Sequence, residues 1–147
     1  MQNNKQYAPL IVRVILGLFF TVFGLNGFLN FMPVPEVSPA AEAFLGALAV
    51  TGYMFPLIKA TELVAGLMLL SGRLVPLSLI LLAPVTINIL FFHTVLDPKP
   101  AMPILIIAAQ LYLAYAYRSS YAGVLQANAS PTARNPQPEA HPTSHPA

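Results

Sequence analysis

The sequence predicts an all-α fold: a membrane-embedded antiparallel four-helix bundle, with a short amphipathic helix in the loop between its first two spans. Three observations predict it. Of the 147 residues, 56% are hydrophobic and only 8% charged, with a mean hydropathy of +0.68. A soluble domain carries about 25% charged residues, and so small a sphere could not enclose this much apolar surface, so lipid must serve as part of the solvent. Four apolar stretches, each roughly 17–23 residues long, match about 30 Å of hydrocarbon crossed as a helix. The connections after the second and third stretches are too short for anything but tight hairpins.

The first span covers about residues 9–29, after an N-terminal segment of residues 1–8. Its apolar run from Leu10 to Leu29 is longer than the core of a signal peptide, and no small-residue cleavage pattern follows it. A retained span is expected. The other spans cover about residues 55–71, 74–96 and 101–117. Pro9, Pro56, Pro76 and Pro103 each fall in a predicted first turn, where a missing N–H does no harm. Pro84 alone lies mid-span and predicts a kink near Ile80.

Ser71-Gly-Arg73 joins the second and third spans, and Asp97-Pro-Lys-Pro100 joins the third and fourth. The long connection from Asn30 to Met54 contains its own helical pattern. Ser38 is placed to cap it, Pro39 takes the first helical position, and Ala41, Phe44, Leu45 and Leu48 share one face before Gly52 ends it. At about 13 residues it is too short to span, so it is expected at the interface or re-entrant.

Lys5, Arg13, Arg73, Arg118 and Arg134 fall on one side of this topology and only Lys99 on the other. The positive-inside bias puts both termini in the cytoplasm of a multi-pass cell-membrane protein, with Glu36 and Glu42 outward. Residues 122–147 are polar and proline-rich and predict a disordered cytoplasmic tail, where His141 and His145 read as solvated residues rather than as a metal site. The lipid bilayer is the first partner implied.

Composition also excludes chemistry. The seven Lys and Arg are spread thinly, so no cluster could neutralise a run of phosphates and nucleic acid is not a partner. The absence of cysteine removes thiolate catalysis, iron–sulfur ligation and Cys-based zinc sites. One histidine in the spans, His93, cannot make a bis-histidine haem within a protomer and is too few for zinc. The sequence holds no haem, flavin or metal motif.

An ionisable group at the centre of a span costs roughly 2.5–3.5 kcal/mol, so each needs a reason. Lys59 and Glu62 lie at i and i+3 on one face of the second span, about 6 and 10 Å below its outer end. They form either a neutralising pair that fixes helix packing or a proton-relay or ligand pair. His93 lies about 5 Å below the outer end of the third span, at a depth close to Lys59. It is either a proton carrier or an interfacial histidine bonded to a carbonyl or headgroup. Asn26 lies in the same outer third, so Asn26, Lys59, Glu62 and His93 outline a pocket beneath the Ser38–Thr51 segment. Gln110, midway along the fourth span, either reaches this pocket from below or bonds a neighbouring helix. Asn88 points about 140° away from His93 and predicts a helix–helix hydrogen bond. Arg13, Gly17, Gly24 and Gly27 form a stripe that predicts close packing, with Arg13 near the cytoplasmic edge.

The order of motifs also carries a resemblance. Arg13 is followed by Gly17-Leu-Phe-Phe20 and Phe23-Gly-Leu-Asn-Gly27. Then come Gly52-Tyr-Met-Phe-Pro-Leu-Ile-Lys59-Ala-Thr-Glu62, Ala65-Gly-Leu67 and Ser71-Gly-Arg-Leu-Val-Pro76. Leu82-Ala-Pro-Val-Thr-Ile-Asn-Ile-Leu-Phe-Phe-His93 completes the series. From about residue 9 to residue 121 the chain resembles the DoxX family of small bacterial membrane proteins, which implies a four-helix protein of the inner membrane. Because the family's name derives from subunits tied to thiosulfate and quinone oxidation, the resemblance also implies a quinone-linked redox role with a membrane-complex partner. Two other classes stay open from the residues themselves. One is a carrier or binding protein for a small solute or lipid, gated by protonation of Glu62 or His93. The other is an assembly or structural subunit, or a homo-oligomer, in which the polar pairs only fix packing.

Overall fold

The computed structural model describes residues 4–33 and 35–122. The predicted tail beyond residue 122, with Arg134, His141 and His145, lies outside the described residues. The elements are α1 (Asn4–Leu29), α2 (Pro39–Val50), α3 (Met54–Ser71), α4 (Val75–Phe91), a π-helical turn (Phe92–Leu96), α5 (Ala101–Ala116) and a 3₁₀ turn (Arg118–Tyr121). The fold is all-helical among the described residues.

Three segments are long and apolar enough to cross a membrane: Tyr7–Leu29, Met54–Ser71 and Val75–Leu96. The fourth predicted span, α5, is apolar but has only 16 residues. Two expectations need correction. Helix α1 begins at Asn4, so Pro9 lies inside it rather than in its first turn, where its missing N–H leaves one carbonyl of the preceding turn without a donor. The segment ending at Leu96 is not uniformly α-helical. The N–H of Asp97 donates to the carbonyl of Phe92 at 2.9 Å, a five-residue spacing that widens the last turn around His93.

Helices α1 and α3 are held together by missing side chains. Gly17 faces Leu69 and Leu70, Gly24 faces Leu63, and Gly27 faces Lys59. The partner number falls along α3 as it rises along α1. A Cβ on Gly24 would stand 2.6 Å from the Leu63 nitrogen, and one on Gly66 would stand 2.6 Å from the Thr21 nitrogen. Backbone therefore meets backbone, the close approach that small residues permit between helices in lipid, where no hydrophobic force drives association. Further contacts run from α3 to α4, from α4 to α5, and from α5 back to α1. Leu16, Phe20, Ala65, Leu69, Val75, Leu79, Leu82, Ile106 and Leu113 fill the space between them. Leu10, Ile15, Leu18, Leu67, Ile87, Leu105 and Leu111 point outward and are exposed. So much apolar surface on a monomer requires a non-aqueous surround.

Helix α2 forms as its sequence predicts. The Ser38 hydroxyl accepts from the Ala41 N–H at 3.2 Å, Pro39 opens the helix, and Gly52 takes the left-handed conformation at φ +73° beyond its end. Ala41 is buried, Phe44, Leu45 and Leu48 are half-buried, and the opposite face is exposed. This inward face packs on α3 and on the π-turn, with the Phe44 and Phe92 rings 6.1 Å apart.

At the far end, the Tyr121 hydroxyl donates to the Pro76 carbonyl at 3.4 Å and fastens the 3₁₀ turn to the start of α4. Burial pushes the Tyr121 phenol above its ordinary value, so it stays protonated as a donor.

A candidate polar site beneath α2

Lys59 lies on the second turn of α3, and Glu62 three residues on is its partner. The Lys59 Nζ stands 2.8 Å from Glu62 Oε2. The Glu62 side chain is 4% exposed and that of Lys59 20%, so the carboxylate is enclosed and the ammonium keeps an opening. The stem of Lys59 lies across Gly27 of α1, and its ammonium sits 5.8 Å from the centre of the Phe55 ring. Among the described residues Lys59 is the only hydrogen-bond partner of Glu62.

His93 belongs to the π-turn and is half-buried. Its Nδ1 is enclosed without a hydrogen-bond partner, and its ring meets Phe92 edge-on at 5.0 Å. Among the described residues no hydrogen bond or ion pair joins it to Lys59 or Glu62. What the two share is α2, which packs against both α3 and the π-turn.

Asn26 and Gln110 are placed differently. The Asn26 side chain folds back on its own chain, where Oδ1 accepts from the Met32 N–H at 2.8 Å, while its carbonyl accepts from the Asn30 N–H. It thus closes the end of α1, with Asn30 in the left-handed conformation at φ 48°. Gln110 is buried between α5 and α4, and its Nε2 donates to the Leu79 carbonyl at 2.8 Å. Leu79 precedes His93 by about 21 Å along the helix. Gln110 therefore serves the α4–α5 interface, which is the neighbour-bonding alternative. Asn88 is exposed and its side chain makes no hydrogen bond to any described residue, contrary to the helix–helix bond expected of it. It faces a groove lined with Phe44, Pro84, Phe91 and Phe92, because α5 packs on the other side of α4.

Sequence reasoning missed Asp97. It reads as a hairpin residue, yet it is 6% exposed and ties the lid down. Its Oδ1 accepts from the Ser38 N–H at 3.3 Å, and its Oδ2 pairs with Lys99 Nζ at 3.1 Å. The Ser38 hydroxyl donates to the Leu96 carbonyl, and Lys99 Nζ donates to the Glu36 carbonyl at 3.3 Å. The carboxylate faces the positive end of α2, where an anion is favoured. The only signal in the sequence was an Asp next to an apolar span and a cap 59 residues away, which no local spacing connects.

Apolar helices with outward-facing hydrocarbon side chains and a buried ion pair define a helical membrane protein. The DoxX family model matches residues 8–95, more than half of the chain. This protein belongs to the DoxX family. The match takes in the glycine seam, the Lys59–Glu62 pair and His93, and it ends before α5. No curated protein matches the chain, and no solved structure does.

Proposed function

We propose that this DoxX-family protein crosses the cell membrane four times as an antiparallel bundle over residues 9–121, with residues 1–8 and the 122–147 tail in the cytoplasm. We further propose that its outer polar site binds a quinone on behalf of a redox partner. The opposed numbering of the α1–α3 contacts supports the topology, as does the closed order of contacts through α3, α4, α5 and α1. Helix α5 covers about 24 Å and, with its 3₁₀ extension, reaches across a slightly thinned bilayer.

The observation that carries the quinone reading is the enclosed, unbonded Nδ1 of His93 on the π-turn, with the Lys59–Glu62 pair on α3, and α2 packs against both elements. A quinone carbonyl is a hydrogen-bond acceptor in an apolar frame, and a protonated Nδ1 and the open side of the Lys59 ammonium are donors of the kind it requires. When bound, a quinone takes up or releases two electrons and two protons. His93 orients the ring through its unbonded Nδ1. Glu62 holds a negative charge that Lys59 neutralises, which makes the pair a second proton relay. Helix α2 excludes water. A partner supplies the electron acceptor when quinol is oxidised, or the donor when quinone is reduced, since the sequence itself has no cysteine and no haem or flavin motif.

The test is the full chain reconstituted in lipid with an added short-chain quinone. Saturable binding or a shifted quinone potential, lost in His93→Ala, supports the proposal. Indifference of the wild-type chain to quinone, with no cofactor-bearing subunit co-purifying from native membranes, overturns it. A second reading, as an assembly subunit, is favoured by the packing of the Lys59 stem on Gly27. It requires the site variants to lose stability or partner association while any quinone response stays unchanged.

A further inference from the structure

The end of the molecule opposite α2 is built from the start of α1, the α3–α4 turn and the 3₁₀ turn after α5. Arg13 lies about 9 Å along the axis from Tyr7, where the apolar segment of α1 begins. Its guanidinium lies over Gly72, where a Cβ would meet Cζ at 2.9 Å and Nη2 at 3.1 Å. Gly72 holds φ +71° in the turn, so this position both favours glycine and leaves the guanidinium its space. Among the described residues Arg13 has no ion-pair or hydrogen-bond partner. Its Nε is enclosed and unbonded.

Two more arginines share this end. Arg73 follows Gly72 directly and is exposed. Arg118 is exposed, stacks 4.5 Å from the centre of the Tyr115 ring, and lies one turn before Tyr121, which bonds Pro76. No described carboxylate accompanies them. Glu36, Glu42 and Asp97 belong to the α2 end, and Glu62 is about 15 Å along α3 from Gly72.

We infer that Arg13, Arg73 and Arg118 form a binding site for the phosphate of an anionic lipid headgroup in the leaflet on this side. Three arginines belong to this end of the molecule without a described acid to neutralise them, and Arg13 is held half-buried over Gly72 with its Nε donor unused. Guanidinium forks match phosphate oxygens in pairs, which favours phosphate over a diffuse negative surface. This end is separate from the polar site beneath α2 and does not depend on what that site binds.

The test is thermal unfolding of the full chain in phosphatidylcholine nanodiscs with increasing phosphatidylglycerol, alongside native mass spectrometry of retained lipid. Phosphatidylglycerol is expected to raise Tm and to be retained. Retention should fall about fivefold for each arginine replaced by glutamine. Arg73→Gln and Arg118→Gln change exposed positions and keep the test open should Arg13→Gln not fold. Equal stabilisation by inorganic phosphate in phosphatidylcholine alone would assign the site to a free anion and overturn the lipid. Phosphatidylglycerol retention unchanged in Arg73→Gln and Arg118→Gln, or absent in the wild type, overturns the site altogether.

Discussion

The aliphatic stem of Lys59 occupies the space that a side chain at position 27 would fill, so Gly27 on α1 fixes the position of a cation on α3. The ion pair and the helix seam are therefore one feature. Packing sets where the ammonium can stand, and Glu62 at 2.8 Å compensates its charge.

Gly27→Ala should push the Lys59 side chain from its groove, whereas Gly24→Ala brings a methyl group against the Leu63 backbone. Backbone yields less readily than a flexible stem. The Gly24 substitution is expected to cost about 1–3 kcal/mol, and the Gly27 substitution less. Denaturation of the two variants in the same detergent checks the order, and a Gly27 variant less stable than the Gly24 variant contradicts it.

Lys59→Met or Glu62→Met alone should destabilise by about 3–5 kcal/mol, because each leaves an unpaired charge beside hydrocarbon. The double variant should recover most of that loss. If it also keeps quinone binding, the pair serves packing alone. If it folds and loses binding, the pair belongs to the site.

Asp97→Ala removes the carboxylate that meets the start of α2 and the Lys99 ammonium. Amide hydrogen exchange should rise across Pro39–Val50 while α1 and α3 stay protected. Ser38→Ala should act in the same direction, with a loss of about 1 kcal/mol. Unchanged exchange in both variants would show that the apolar face of α2 holds it down without the clasp.

Gln110→Leu should cost only about 0.6 kcal/mol, the usual worth of a hydrogen bond between membrane helices. It loses the bond to the Leu79 carbonyl and also removes an enclosed, unpartnered Oε1. Quinone binding should be untouched. A strong loss of binding in a stable Gln110→Leu protein would return this residue to the site.

The agreement between sequence and structure is closest where the signal is local. The predicted 55–71 span is α3 at Met54–Ser71, and the cap, first-turn proline and buried face of α2 all stand where the pattern put them. The glycine stripe of α1 is indeed a packing seam, since glycines seven and then three residues apart share one helix face. Pro9 and the end of the 74–96 span depart from expectation for the opposite reason. Helix continuation through a proline and an extra residue in a turn depend on which carbonyls find partners in space. Asn26 is expected in the pocket and Asn88 in a helix–helix bond, yet one folds back to cap α1 and the other faces an open groove.

Composition and period alone determined that this chain lives among lipids, roughly where its apolar segments lie, and which of its side chains are expensive to place there. These follow from transfer energies and backbone hydrogen bonding, which act residue by residue. Only the tertiary structure decided that Asp97 reaches Ser38, that Lys59 rests on Gly27 and that Gln110 turns to Leu79. Such pairings join residues that are distant in the chain, and shape complementarity between whole helices selects them.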